Sequence, residues 1–275
     1  MTATLPTSRR APASSVGARR RVAVLLALIG AVVVSLVLSV SFGSRPVSLS
    51  EIVEGMTLWV RGEPPTGIGA IAVQSRVPRT IMALLAGAAL ALSGTLMQAI
   101  TRNPLADPGI LGVNTGAALA VVIGMAFLGV SSALGSLALA LIGAFLTAFF
   151  VYFVGSVGPG GTTPIKLALA GAATTAALSS LVSAILLPRQ GVLDEFRFWQ
   201  VGNVGRANAE TMAIVIPVLV IGTLIALLCA SALNALALGD DIAVGLGVRV
   251  GRIRIISAVA GIVHLIPRKA GATAH

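Results

Sequence analysis

The sequence predicts an all-α integral membrane protein, a polytopic helical bundle of six or seven spans. Three observations predict it. Hydrophobic residues make up 56% of the 275 and charged residues 10%, with a mean hydropathy of +1.00. Soluble domains carry roughly 25% charged residues, so this chain cannot cover a water-facing surface. The apolar residues also gather in runs near 22–42, 79–100, 109–129, 133–155, 165–187, 211–233 and 252–267. At 1.5 Å per residue the first six runs cross a core of about 30 Å. The seventh, with about 13 residues from Ile255 to Pro267, does not, and reads as a shortened span or a re-entrant piece. Finally, small residues recur inside the runs, as in Gly87-x-x-x-Ala91 and Gly112-x-x-x-Gly116. Such spacing lets helices approach closely and indicates a tight bundle.

The first 21 residues are rich in Ala, Ser, Pro and Arg and read as a disordered cytoplasmic segment. Arg9, Arg10, Arg19, Arg20 and Arg21 directly precede the first run, which places the N-terminus inside. That run has about 21 residues without a charge, which is long for a signal peptide core, so it reads as a retained span. With this orientation Arg102, Lys166, Arg249, Arg252 and Arg254 also fall inside.

Residues 44–78 form the longest outer segment. Ser48-Leu-Ser-Glu51 has the form of a capping box, Ser48 at N-cap and Glu51 at N3. The short amphipathic helix that follows carries Trp59 at a position suited to the interface. Pro64-Pro65 ends it. The second span opens with Arg76-Val-Pro-Arg79, where Pro78 suits a first helical turn. Arg76 and Arg79 lie one turn apart. Interfacial anchoring and docking of an acidic external partner are both open readings for them.

Arg102-Asn103-Pro104-Leu105-Ala106-Asp107-Pro108 is a broken elbow at the inner end, because two prolines in five residues forbid a continuous helix. Asp107 either caps the next helix or pairs with Arg102. Asn114 and Thr115 open the third span, as packing contacts or as lining of a polar path. Further on, Gly239 ends a helix, Asp240 caps a short new one over Asp241–Leu246, and Gly247 stops it. Acids at its start match the helix dipole. It serves either as a lever for a soluble partner or as a plain connector.

Other chemistries lack their residues. The net charge of +10 sits between apolar runs, not in an aromatic-interleaved patch, so no nucleic acid is expected. The two histidines and one cysteine form no metal cluster, and Cys229 reads as helix packing. Gly155–Thr163 is glycine-rich without the lysine of a phosphate loop. No cofactor and no catalysis are expected. A secondary transporter would need intramembrane acids, and no run carries one centrally.

Three blocks carry a resemblance. The first is Arg76 to Gly116, with the Arg-x-Pro-Arg start, Gly87-Ala-Ala-Leu-Ala-x-Ser-Gly94, Met97-Gln98 and Asn103-Pro-Leu-Ala-x-Pro-Gly109. The second is Phe198-Trp-Gln-Val-Gly202 and the third Leu238-Gly-Asp-Asp-Ile-Ala-x-Gly-Leu-Gly247. Together they resemble the FecCD family, the permease subunits of iron-siderophore, haem and cobalamin ABC importers. The resemblance implies a bundle of the type II ABC importer permease kind in the bacterial cytoplasmic membrane. It implies two ABC ATPase subunits inside, an external substrate-binding protein, and a second permease subunit, identical or paralogous. Gly239, Asp240, Asp241, Ala243, Leu246 and Gly247 would then form the ATPase-coupling loop. Arg76 and Arg79 would dock the binding protein, and Asn103, Pro104, Asp107, Asn114 and Thr115 would line the translocation elbow.

The family has about ten spans, of which six or seven are expected within the permease domain at 22–267. The tail at 268–275 departs from the family pattern. A truncated or frameshifted remnant without transport is the alternative that this departure raises.

Overall fold

The computed structural model describes residues 15–43, 45–158, 163–202 and 209–265. Among these residues all regular structure is helical. Five helices are long and apolar enough to cross a membrane: Arg19–Ser41, Ile68–Thr101, Ala133–Ser156, Ile165–Leu186 and Met212–Ala237. The chain divides into two compact units, with the boundary after Thr80.

The first unit holds α1 (Ser15–Ser41), α2 (Leu49–Arg61) and the start of α3 (Ile68–Thr101). Helix α1 begins ahead of the apolar run, because Ala18 and Arg19–Arg21 are good helix formers that extend it. Positions 15–21 of the expected disordered segment are therefore helical, and positions 1–14 lie outside the described residues. Val24, Leu25, Leu26 and Leu28 are all exposed, which suits a lipid solvent.

In α2 both halves of the capping box form. The Ser48 backbone N–H donates to Glu51 Oε2 at 2.8 Å, and the Glu51 N–H donates to Ser48 Oγ at 3.3 Å. Arg45 Nη2 adds an ion pair to Glu51 Oε1 at 3.1 Å. Hydrogen bonds from the Ser48 backbone and then its side chain, with the nearby Arg45 charge, hold this exposed carboxyl below its ordinary value of 4.5. The helix ends at Gly62, which takes a left-handed φ of 69°, before the prolines are reached.

Helix α3 starts at Ile68, well before the expected opening at Arg76–Arg79. Pro78 is thus inside the helix, not in its first turn. Its ring forfeits the bond to the Gln74 carbonyl. Burial of Ala70, Val73 and Val77 offsets that loss, and Gly55 of α2 lets Val73 approach so closely that a methyl there would sit 2.6 Å from its Cβ.

The second unit continues α3 and adds a 3-10 turn η1 (Pro108–Leu111), α4 (Val113–Leu128), α5 (Ala133–Ser156), α6 (Pro164–Leu186), α7 (Gln190–Val201), α8 (Ala209–Ala237), α9 (Asp240–Gly245) and α10 (Val250–Leu265). The third apolar run is therefore not one membrane-length helix. Gly112 takes a φ of 67° and splits it into η1 and the 16-residue α4. Turn and helix together still rise about 32 Å. Such a break is tolerated at membrane depth only inside protein, and α4 is the central helix of the core. Val113, Ala117, Val121 and Val122 pack with Leu137, Ala140 and Ala144 of α5 and with Trp199 of α7. The α4–α5 crossing is backbone-close: a methyl on Gly116 would collide with Thr147 Oγ1, and one on Gly143 with the Gly116 carbonyl.

The seventh run also differs from expectation. Helix α10 begins at Val250, taking Arg252 and Arg254 into its first turns, and is described to Leu265. Residues 266–275, including the atypical 268–275 tail, lie outside the described residues, as do 159–162 of the glycine-rich stretch. Cys229 is buried in a second cluster with Leu96, Leu233, Leu236, Ala243 and Ala260.

Candidate functional site

At the inner elbow, α3 ends where Arg102 turns left-handed, with φ 51°, the one non-glycine residue with positive φ among the described residues. Glycine usually holds such a helix-ending position, and an L side chain there costs roughly 1–2 kcal/mol. Asn103 then folds an Asx turn, its Oδ1 accepting from the Leu105 N–H at 2.9 Å, and Pro104 keeps the chain out of helix. Asp107 caps η1, its Oδ1 accepting from the Gly109 N–H at 2.6 Å. Of the two readings for Asp107, capping is the one formed. Arg102 turns elsewhere.

Asn114 and Thr115 fall in the first turn of α4, half-buried beside the Gly112 break. Hydroxyls gather there. A methyl on Gly112 would meet Thr175 Oγ1 of α6 at 3.1 Å and Thr147 Cγ2 of α5 at 3.4 Å. The break therefore joins an unwound backbone to threonines of two neighbouring helices.

The loop 239–247 folds as the short helix α9 between two glycines. Gly239 has φ 125° and ψ 151°, and Gly247 has φ 80°, conformations that L side chains rarely adopt. The N-cap is Gly239, not Asp240 as expected, and no side chain caps the helix. The Asp240 side chain is engaged instead by two arginines. Arg102 Nη2 donates to its Oδ1, and Arg254 Nη2 donates to Oδ1 at 3.2 Å and Oδ2 at 3.1 Å. Ala243 is fully buried and anchors α9 in the second cluster. Asp241, Ile242, Val244 and Leu246 point away, the three apolar ones 52%, 61% and 64% exposed. Charged residues, Asp241, Arg249 and Arg252, stand among them in the sequence, and all three are exposed.

In the first unit the two expected docking arginines part company. Arg76 is buried, 8% exposed. Its guanidinium donates to the carbonyls of Val40 at 2.9 Å, Ser41 at 3.2 Å and Arg45 at 2.6 Å. Two of these are the last residues of α1, whose carbonyls have no partner inside the helix. A cation at that negative end is favourable. Gly43 makes the room, since a methyl there would lie 2.6 Å from Arg76 Nη2. Arg79 is exposed, and both arginines line a half-open cleft of about 380 Å³ with Ser39, Ser75 and Thr80.

Two features escaped the sequence reading. One is the Asp240 cluster. The other is α7, which buries Phe196 and Trp199 with ring centroids 5.7 Å apart. The spacing of Val192, Phe196 and Trp199 is a helical signal that marks α7.

Comparison with known proteins adds the following. The pattern of the FecCD transport family matches residues 25–266. The ferric enterobactin transport system permease protein FepD of Escherichia coli K12 is 44% identical over 249 residues, which are 90% of this chain and 72% of that protein. The probable siderophore transport system permease protein YfiZ of Bacillus subtilis 168 is 35% identical over 236 residues, 86% and 70% of the two chains. A solved chain of a metal-chelate type ABC transporter, in an inward-facing conformation, superimposes with a TM-score of 0.70 at 25% identity. That match covers 91% of this chain and 75% of the other.

Proposed function

The chain belongs to the FecCD transport family, and from that premise we propose that it is the membrane-spanning permease subunit of an ABC importer for ferric-siderophore-type chelates. ATP hydrolysis then takes place on partner chains. Two ATPase subunits serve a pair of permease subunits, one seated on each copy of α9. The N-terminus and α9 face the cytoplasm, and the α1–α3 connection faces outward. A substrate-binding protein docks there. Arg79 supplies its free charge to that docking, while Arg76 holds the rim by fixing the end of α1. The elbow from Asn103 to Asp107, with Asn114 and Thr115 at the Gly112 break, lines the inner part of the path.

The observation that carries this reading is α9. It is a two-turn helix anchored on one side by Ala243, with an exposed apolar surface. The charged residues around it, Asp241, Arg249 and Arg252, favour a place outside the hydrocarbon, and an apolar surface there supports a protein partner. Introducing a charge at its most exposed apolar position, Leu246→Arg, is expected to abolish co-purification of the co-expressed ATPase. The permease itself should remain monodisperse, because the Leu246 side chain is largely exposed and lies outside the buried clusters of the described residues. Undiminished ATPase recovery from that variant sinks the reading.

A further inference from the structure

Helix α9 joins the chain through a glycine on each side, Gly239 and Gly247, both at positive φ. Backbone bonds continue across both junctions, from the Gly239 N–H to the Leu236 carbonyl at 3.1 Å and from the Val248 N–H to the Ala243 carbonyl at 2.9 Å. The side chains that tie α9 to the rest of the unit are the buried Ala243 and the Asp240 carboxylate. That carboxylate is shared. One arginine comes from the turn that ends α3 and begins the elbow, the other from the first turns of α10. Arg102 occupies a position that favours glycine, and its guanidinium is the group that glycine would lack. All three side chains are partly solvated, so each pair is weak alone and separates readily.

We propose that Asp240, Arg102 and Arg254 form an ionic node through which displacement of α9 is relayed to the α3–η1 elbow and to α10. Asp240 is a positioning residue in this scheme, not a contact for the ATPase. The inference rests on the reading of α9 as the ATPase seat. One carboxylate holds two guanidinium groups, so a shift of α9 acts on both at once. Because Asn103 and Pro104 follow Arg102 directly, the elbow moves with its anchor.

The test uses the full complex of permease and ATPase in vesicles. Cys229 is the one cysteine of the chain and is buried, so Leu105→Cys, at an elbow position 85% exposed, gives a single reporter. Its labelling rate by a soluble maleimide is measured without nucleotide and with ATP and vanadate. The parent is expected to change its rate at least about 3-fold between the two states. Adding Asp240→Asn should abolish that change while ATPase recovery stays normal, and Asp240→Glu should restore most of it. Arg102→Gln should behave as Asp240→Asn, and the double variant should be no worse than either single. A nucleotide response that survives Asp240→Asn overturns the node. Loss of ATPase recovery with Asp240→Asn also overturns it, making Asp240 a partner contact, yet leaves the proposed function standing. Normal ATPase recovery with Leu246→Arg instead removes the premise under both.

Discussion

Arginines near the two ends of α3 show two ways of using a cation. Arg76 is buried and donates to three neutral carbonyls within its own unit. Arg102 is partly exposed and shares a carboxylate with Arg254. A buried guanidinium whose partners are helix-end carbonyls is a permanent fastening. Its removal leaves the buried Val40 carbonyl without a donor. A solvated ion pair gains little and loses little when it opens. The first arrangement suits a fixed rim, the second a contact that must change during a cycle.

The largest expected effect breaks the outer fastening. Arg76→Leu leaves the carbonyls of Val40 and Arg45 without their donor, while that of Ser41 keeps the Val47 N–H. At about 1–3 kcal/mol for each stranded group, the first unit should lose roughly 2 kcal/mol or more. Arg76→Lys keeps the charge but not the fork, so it should fall between the two. Thermal unfolding of the detergent-purified chain checks both. An Arg76→Leu protein as stable as the parent would mean that Arg76 is free to bind a partner, and the contrast with Arg102 would vanish.

How far the sequence disclosed these arrangements depends on their range. Ser48-x-x-Glu51 is a contact within one turn, and it forms as written. The elbow prolines and the glycines around α9 likewise act on their own backbone, so the break and the short helix were legible. Pro78 misled, because a proline suits a first turn and nothing local reveals the burial that carries α3 back to Ile68. Asp240 misled more instructively. Locally it is a good N-cap, yet its side chain answers to Arg102, 138 residues away in sequence. No periodicity records such a pairing. The expected docking pair Arg76 and Arg79 differs for the same reason: one of them found carbonyls in α1.

A middle-sized effect sharpens the outer half of the comparison. Ser48→Ala removes the hydroxyl that caps α2, at a cost of about 1 kcal/mol. The Glu51 carboxyl should then titrate closer to its ordinary value of 4.5, since one of its bonds to Ser48 is gone. The sign is that of a depressed acid. Its stabilising effect is complete above the unfolded value and is lost as pH falls through the lower folded one. In the parent, α2 should therefore stay intact at pH 4.5 and loosen only below it. Carboxyl NMR of Glu51 against pH reads this directly, and a parent titrating at or above 4.5 contradicts the capping box.

The smallest expected effect on stability is the most telling for the inner half. Arg102→Gly relieves the left-handed strain, a gain of about 1 kcal/mol. It also deletes an ion pair between partly exposed groups, a loss of about 0.2–1 kcal/mol. The two nearly cancel, so the melting temperature should hardly move, and raising the salt should lower the parent slightly more than the variant, which keeps the pair of Arg254 with Asp240. If the pair served only to hold the fold together, a glycine that replaces it at no cost would be harmless in every assay. In the relay scheme it is not harmless, because the elbow has lost its tie to α9. Unchanged stability together with a lost nucleotide response at Leu105→Cys would place the value of Arg102 in transmission. A marked fall in melting temperature would instead make Arg102 a second fastening of the Arg76 kind.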